Sequence, residues 1–237
     1  MSRRGDSPAA ESLRELLGGA ASALKVFPLP GGIVFPGTPA PFHIFEPRYR
    51  AMVEDALRGD RVLAVAALCS ADDAPMARAP VHRIAGAGFI EADEKLADGR
   101  YTIMLRGVAR VRLLEEILGT PKPYREFKAE ILDDLYPPGG QAELSSEVEA
   151  LEQVVLELAR RLPSESGAPE LAEAVARMRI PARMADLVAA AVVNDDRARL
   201  RILEAIEVKE RMAIVIREVA ALLLQVPGKG GARTPSA

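Results

Sequence analysis

Any chemistry in this 237-residue chain would rest on few residues: two histidines, His43 and His82, and one cysteine, Cys69. They form no cluster with the ligand spacing of a zinc site, so neither a metal nor another cofactor is expected. A Ser–His–Asp triad can be assembled on paper from Ser70, His82 and Asp93, and Ser70 or Cys69 could be written as a hydrolase nucleophile. No G-x-S-x-G elbow accompanies them. Cys69 ends an apolar run, residues 62–69, and reads as a buried, inert thiol. Asp72-Asp73 and Asp133-Asp134 are adjacent acids of the kind that loops leave solvated. His43, between Phe42 and Ile44, reads as a strand histidine with a structural hydrogen bond. The only Gly-Lys pair, Gly228-Lys229, is followed by Gly230 and makes no nucleotide-binding loop. Catalysis is not expected.

Binding has more to work with. A module that holds polypeptide needs exposed apolar or adaptable surface. Ile33-Val34-Phe35 is an apolar loop bracketed by the turns Gly31-Gly32 and Pro36-Gly37. The loop over residues 70–80 carries Met76, a side chain suited to varied partners. Phe35 and Met76 are therefore the candidate polypeptide-binding residues, with a place in the core as the alternative for Phe35, and the junction at residues 137–140 is a third place that could gape. Glu46-Pro47-Arg48-Tyr49 reads as structural. Pro47 opens a helix, where its missing N–H has no helical partner to lose. Glu46 meets the positive end of that helix and is expected to pair with Arg50, Arg106 or Arg110, buried or half-buried.

The elements that must position these residues fall into two groups. Strands are expected at 25–29, 40–45, 61–69, 81–92, 100–114 and 124–134. Asp98-Gly99 is a tight-turn signal joining the fourth and fifth. Gly107 falls inside the fifth strand and predicts a bulge or sharp bend, which favours a small closed or partly closed barrel. Beyond Tyr136-Pro137-Pro138-Gly139-Gly140 the pattern turns helical. Leu144, Val148, Leu151, Val155, Leu158 and Leu162 step by four and three. Helices follow over 169–179 and 181–193. Asn194-Asp195-Asp196 is expected to cap a last helix striped by Val208, Met212, Val215, Val219, Leu222 and Val226. Stripes this short favour helices facing each other within one chain over an intermolecular coiled coil. The expected organisation is a flexible leader (1–24), a β-barrel (25–136), a hinge (137–142), a helical bundle (143–227) and a disordered tail (228–237).

Composition narrows the classes further. Hydrophobic residues are 49% and charged residues 27%, an ordinary globular balance. The net charge is −3 and neither half is basic, so nucleic acid is not an expected partner. No segment reads as a signal peptide or a membrane span. A single cysteine fits a reducing compartment, and the expected location is the cytoplasm.

The passage PLPGGIVFPGTPAPFHIFEPRYRAM resembles the opening of the Lon protease amino-terminal, substrate-binding domain. Its motif residues here are Phe42, His43, Glu46, Pro47, Arg48 and Tyr49. GAGFIEADEKLADGRYTIMLRGVARVRLLEE is similar to that family's second block, whose Arg-Gly-x-x-Arg core is here Arg106, Gly107 and Arg110. PYREFKAEILDD and the helical stretch from Pro181 onward also resemble it, so the likeness spans roughly residues 25–226. It implies an α+β fold, a PUA-like β-barrel followed by a helical bundle. It also implies a non-enzymatic binding module for unfolded polypeptide or a partner protein, in protein quality control. Full-length Lon proteases continue into ATPase and protease modules that this sequence does not contain. The expectation is a standalone domain, with any ATP-dependent protease supplied by a separate chain. An RNA-binding or small-ligand-sensing PUA-like protein is the alternative, and homo-oligomerisation is left open.

Overall fold

The structure, a computed structural model, describes residues 8–226 except 74, 75 and 77, with the backbone alone for 8–11. The expected disordered tail, 228–237, lies outside the described residues. Six strands form one sheet in the order β2-β5-β4-β3-β1-β6: β1 (Leu24–Leu29), β2 (Pro39–Ile44), β3 (Val62–Ala67), β4 (Ile84–Lys95), β5 (Tyr101–Glu116) and β6 (Arg125–Leu132). β6 also pairs with β5, which closes the sheet into a barrel. Among the described strands only β1 and β3 pair in parallel, and α2 (Pro47–Arg58) lies in the connection between them. Each strand overlaps an expected one.

The sixteen-residue β5 serves two neighbours on its second edge. Its first half pairs with β2 and its second half with β6, while β4 runs along the other side. The change of direction comes where Gly107 predicts it. Ala87 pairs with Ala109 and Gly88 with Gly107, leaving Val108 as the extra residue of a bulge. The chain between β1 and β2 crosses the sheet here. Gly107 donates to the Thr38 carbonyl, and Gly37 donates to the Gly107 carbonyl, both at 2.9 Å. A Cβ on Gly107 would overlap the Phe35 carbonyl, and one on Gly86 the Val34 carbonyl. The glycines let backbone lie on backbone. Gly107→Ala should therefore cost about 1–3 kcal/mol, toward the upper end. Urea unfolding measures it, and wild-type stability would mean that the 34–37 segment does not rest on β5.

The sheet buries both faces. Phe27, Leu63, Val65, Ile90, Ile103 and Leu105 pack beneath Met52, Val53 and Ala56 of α2. The other face is rich in alanine (Ala64, Ala66, Ala85, Ala87, Ala109) and receives Leu17 of α1 (Pro8–Ala20). This corrects the expected flexible leader for residues 8–20. The helix runs through Gly18-Gly19 and ends at Ala20. Tertiary burial of Leu17 outweighs the low helix propensity of two glycines. Cys69 is also corrected: it lies just past β3 and is exposed.

The second half is a bundle of α3 (Ser145–Arg161), α4 (Ala168–Arg177), α5 (Pro181–Val192), α6 (Asp196–Glu204) and α7 (Val208–Gln225). Leu151, Val155 and Leu158 of α3 share one core with Met212, Val215 and Val219 of α7, so the stripes face each other within the chain. The single expected last helix is two. Asp195 caps α6, its side chain accepting from the Ala198 amide at 2.7 Å. The chain then breaks at residues 205–207 before α7. There Leu135 donates to the Ile206 carbonyl at 3.1 Å and accepts from the Val208 amide at 2.9 Å. That strap fastens the chain just before the expected 137–142 hinge to the bundle, and Tyr136 packs on the bundle core.

Candidate binding surface and barrel–bundle junction

The residues with chemistry in them are engaged singly. His82 Nδ1 lies 3.1 Å from Glu204 Oε1, a contact from the barrel to the end of α6. Asp93 accepts from Arg61 at 2.7 Å, and Ser70 Oγ accepts from the Asp72 amide at 3.3 Å. Ser70, His82 and Asp93 thus form no relay. His43 is exposed on β2, with Arg100 Nη1 at 3.2 Å and the Phe45 ring stacked beside it, while Phe42 packs edge-on against Phe27. Among the described residues no group of three His, Cys, Asp or Glu side chains could hold a metal.

Glu46 precedes α2 as expected, and its carbonyl accepts from the amides of Tyr49 and Arg50. Its expected partners are corrected. Glu46 pairs with Arg48 at 2.8 Å, two residues along, in a half-exposed ion pair. The geometry is local because Arg48 sits on the same first turn. Arg50 donates to the Asp98 carbonyl at 3.3 Å, and Arg106 pairs with Glu91 at 3.0 Å.

Arg110 does enter a buried ion pair, with a residue that the sequence does not point to. From β5 it forks onto Asp186 of α5, at 2.9 and 2.6 Å. The two side chains are 3% and 2% exposed. Arg211 of α7, wholly buried, reaches Asp186 at 3.5 Å and Asp134 at 2.6 Å. Both arginines also gather the carbonyls at the end of α6: Arg110 takes those of Leu203 and Ile202, and Arg211 those of Ala205 and Ile206. Cations there complement the negative end of the helix. Burial alone would lower the Arg110 pKa, but the charges of Asp186 and Asp134 and the hydrogen bonds to Asp186 outweigh it and raise it. A lone acid in the apolar run of α5 is the signal that could have marked Asp186.

Phe35 is corrected as a surface residue. It is 1% exposed and joins Ile33 in the bundle core, so the apolar loop is a plug between barrel and bundle. Met76 is 54% exposed. It borders a small groove of about 50 Å³ with Leu29, Tyr49, Leu68, Ala79 and Arg125, near Glu46 and Arg48. Burial pushes the Tyr49 hydroxyl up, opposed by Arg48 and reinforced by Glu46, so the groove presents a neutral phenol. Phe45, immediately before Glu46 in the chain, is 61% exposed. A second, larger cavity of about 330 Å³ opens at the junction itself, between α1, the Pro36-Gly37 turn, β5, β6 and α5.

Residues 23–221 match the family described as the ATP-dependent protease La (LON) substrate-binding domain. The Lon protease of Anaeromyxobacter dehalogenans is 26% identical over 197 residues, covering 82% of this chain and 22% of that protein. Lon protease 2 of Myxococcus xanthus is 28% identical over 200 residues, covering 81% and 23%. This chain therefore spans about a quarter of the length of these relatives. The N-terminal domain of the Mycobacterium avium complex Lon protease has the same fold, with a TM-score of 0.67 at 18% identity, covering 84% of this chain and 98% of that one. A Lon N-terminal domain protein from Xanthomonas campestris aligns with a TM-score of 0.53 at 19% identity, covering 86% and 99%. With the barrel, the bundle and the match over residues 23–221 in agreement, this chain belongs to the Lon substrate-binding domain family.

Proposed function

We propose that this chain is a non-catalytic module that binds polypeptide, an unfolded client or a partner protein, in cytoplasmic protein quality control. The observation that carries the reading is its membership of a substrate-binding family. The groove around Met76 supports it: an apolar floor whose bordering charges, Glu46 with Arg48 and Arg125 with Glu116, are already paired. Such a surface suits apolar side chains of varied shape. A separate ATP-dependent protease is the partner that would act on what it holds.

Recognition through side chains fits better than strand addition. Among the described residues β2 pairs on one side only, with β5. Pro39 and Pro41 lie two apart on it, and a proline in an edge strand turns its missing N–H outward. That edge offers an incoming strand few donors.

The test is retention of an unfolded polypeptide against its folded form on the immobilised protein, at low and moderate salt. Selective retention that survives salt is expected; equal retention of both forms would sink the reading. Met76→Ala should weaken retention about two- to fivefold, in line with loss of one exposed apolar contact, and leave the unfolding midpoint in place. Retention unchanged in that variant would move the site away from the groove.

A further inference from the structure

We propose that the junction cavity receives the C-terminal carboxylate of a polypeptide whose last side chain is apolar. The inference rests on the polypeptide-binding reading and names the feature of the client that this second site would recognise.

The charge of the lining comes first. Among the described residues the lining holds Arg14, Arg106, Arg110 and Arg183 with the carboxylates of Asp134 and Asp186, and Arg183 is itself engaged. Asp186 is committed to Arg110 and Arg211, and Asp134 accepts from Arg211 through Oδ1. Arg14 and Arg106 pair with Asp133 and Glu91, carboxylates outside the lining and more than two-fifths exposed. Exposed pairs of this kind hold weakly. A carboxylate inside the cavity can compete for the same guanidinium forks, which match carboxylate geometry. Arg14 and Arg106 are therefore the cations that an entering anion would meet.

The rest of the lining selects among anions. Leu13, Pro36, Val108 and Leu132 give an apolar surface beside the arginines. A dianionic phosphate would gain from the arginines and be repelled by Asp134 and Asp186. A single carboxylate needs only one side of the cavity. The amide N–H that precedes it in a peptide can be donated to Asp134, since a carboxylate that accepts one bond keeps further acceptor sites. The apolar side chain of the terminal residue then meets Leu13 and Leu132. At about 330 Å³ the cavity is at the small end of ligand pockets, and the buried Arg110–Asp186 pair forms its inner wall. That volume has room for the end of a chain.

The placement also accounts for the Arg-Gly-x-x-Arg segment. Gly107 lets the Phe35 backbone cross β5, Arg110 holds the bundle, and Arg106 is left on the cavity wall with a solvent-exposed partner.

The experiment uses fluorescence polarisation with N-terminally labelled Gly-Ser-Gly-Ser-Ala-Leu, as the free acid and as the C-terminal amide. The free acid should bind at least tenfold more tightly. Arg106→Gln should bring the acid down to the level of the amide and leave the amide unchanged. Arg14→Gln serves as a second variant, and thermal unfolding checks that each is folded. N-Acetylleucine should compete more weakly than the hexapeptide. Competition by it as strong as by the hexapeptide would reassign the cavity to free small acids and overturn the proposal. Equal binding of acid and amide would overturn it too. If unfolded polypeptide is still retained in that case, this proposal falls alone; if none is retained, the polypeptide-binding reading falls with it.

Discussion

Replacing Asp186 by alanine is expected to cost about 3–5 kcal/mol, the range for breaking a buried ion pair by removing one partner. The loss is unequal across the network. Arg211 would keep Asp134 at 2.6 Å and the carbonyls of Ala205 and Ile206. Among the described residues Arg110 would keep only the carbonyls of Leu203 and Ile202, with no carboxylate within ion-pair distance. A buried guanidinium facing two carbonyls is not compensated for leaving water. With a urea slope of about 2–3 kcal/mol/M, the unfolding midpoint should fall by about 1–2 M. Exchanging both partners for apolar residues, Arg110→Met with Asp186→Leu, should cost less than Asp186→Ala alone, because no charge is stranded. A drop below about 1 kcal/mol for the single variant would mean that the pair is solvated, and the junction would then be looser than the contacts indicate.

The same network shows where sequence patterns stop informing. Periodicity places apolar residues on faces, and a barrel of alternating strands followed by striped helices can be read directly. Gly107 adds a bulge because only a few roles suit a glycine inside a strand. The stripes on α3 and α7 find each other because their spacing defines one face on each. Nothing in spacing connects Arg110 to Asp186, 76 residues away. The same holds for α1. Its Gly18-Gly19 reads as a stop, and only the alanine face of the barrel, assembled from β3, β4 and β5, gives Leu17 a place to bury. The break between α6 and α7 carries no proline or glycine; it arises because the Ala205 and Ile206 carbonyls turn toward Arg211 and Leu135 binds across the gap. For Glu46 the sequence offers Arg50, Arg106 or Arg110 as partners, and Arg48, two residues along, is the one it meets. Local signals survive into the structure, and contacts between distant segments decide the rest.

Phe35→Ala is expected to cost about 3–5 kcal/mol, the range for removing a buried phenylalanine. An apolar residue between two turns reads from sequence as a loop tip open to clients, and the structure makes it a plug. Its ring sits among bundle side chains with Ile33, and the Arg199 guanidinium lies 5.4 Å from its centroid. Its backbone carbonyl lies against Gly107 on β5. One residue thus touches both halves, so the vacancy would open where barrel and bundle meet and could not be filled by either alone. Urea unfolding of Phe35→Ala should show a midpoint lower by about 1–2 M, on the same urea slope as for Asp186. Met76→Ala should show none, because Met76 is on the surface. The contrast separates two ways of losing client retention. A variant at Phe35 that retains less polypeptide does so in proportion to its unfolded fraction, and retention should recover at lower temperature or lower denaturant. A variant at Met76 loses retention at full stability. If Phe35→Ala is as stable as the wild type and still retains less client, the ring is reaching polypeptide directly, and the plug must open to bind.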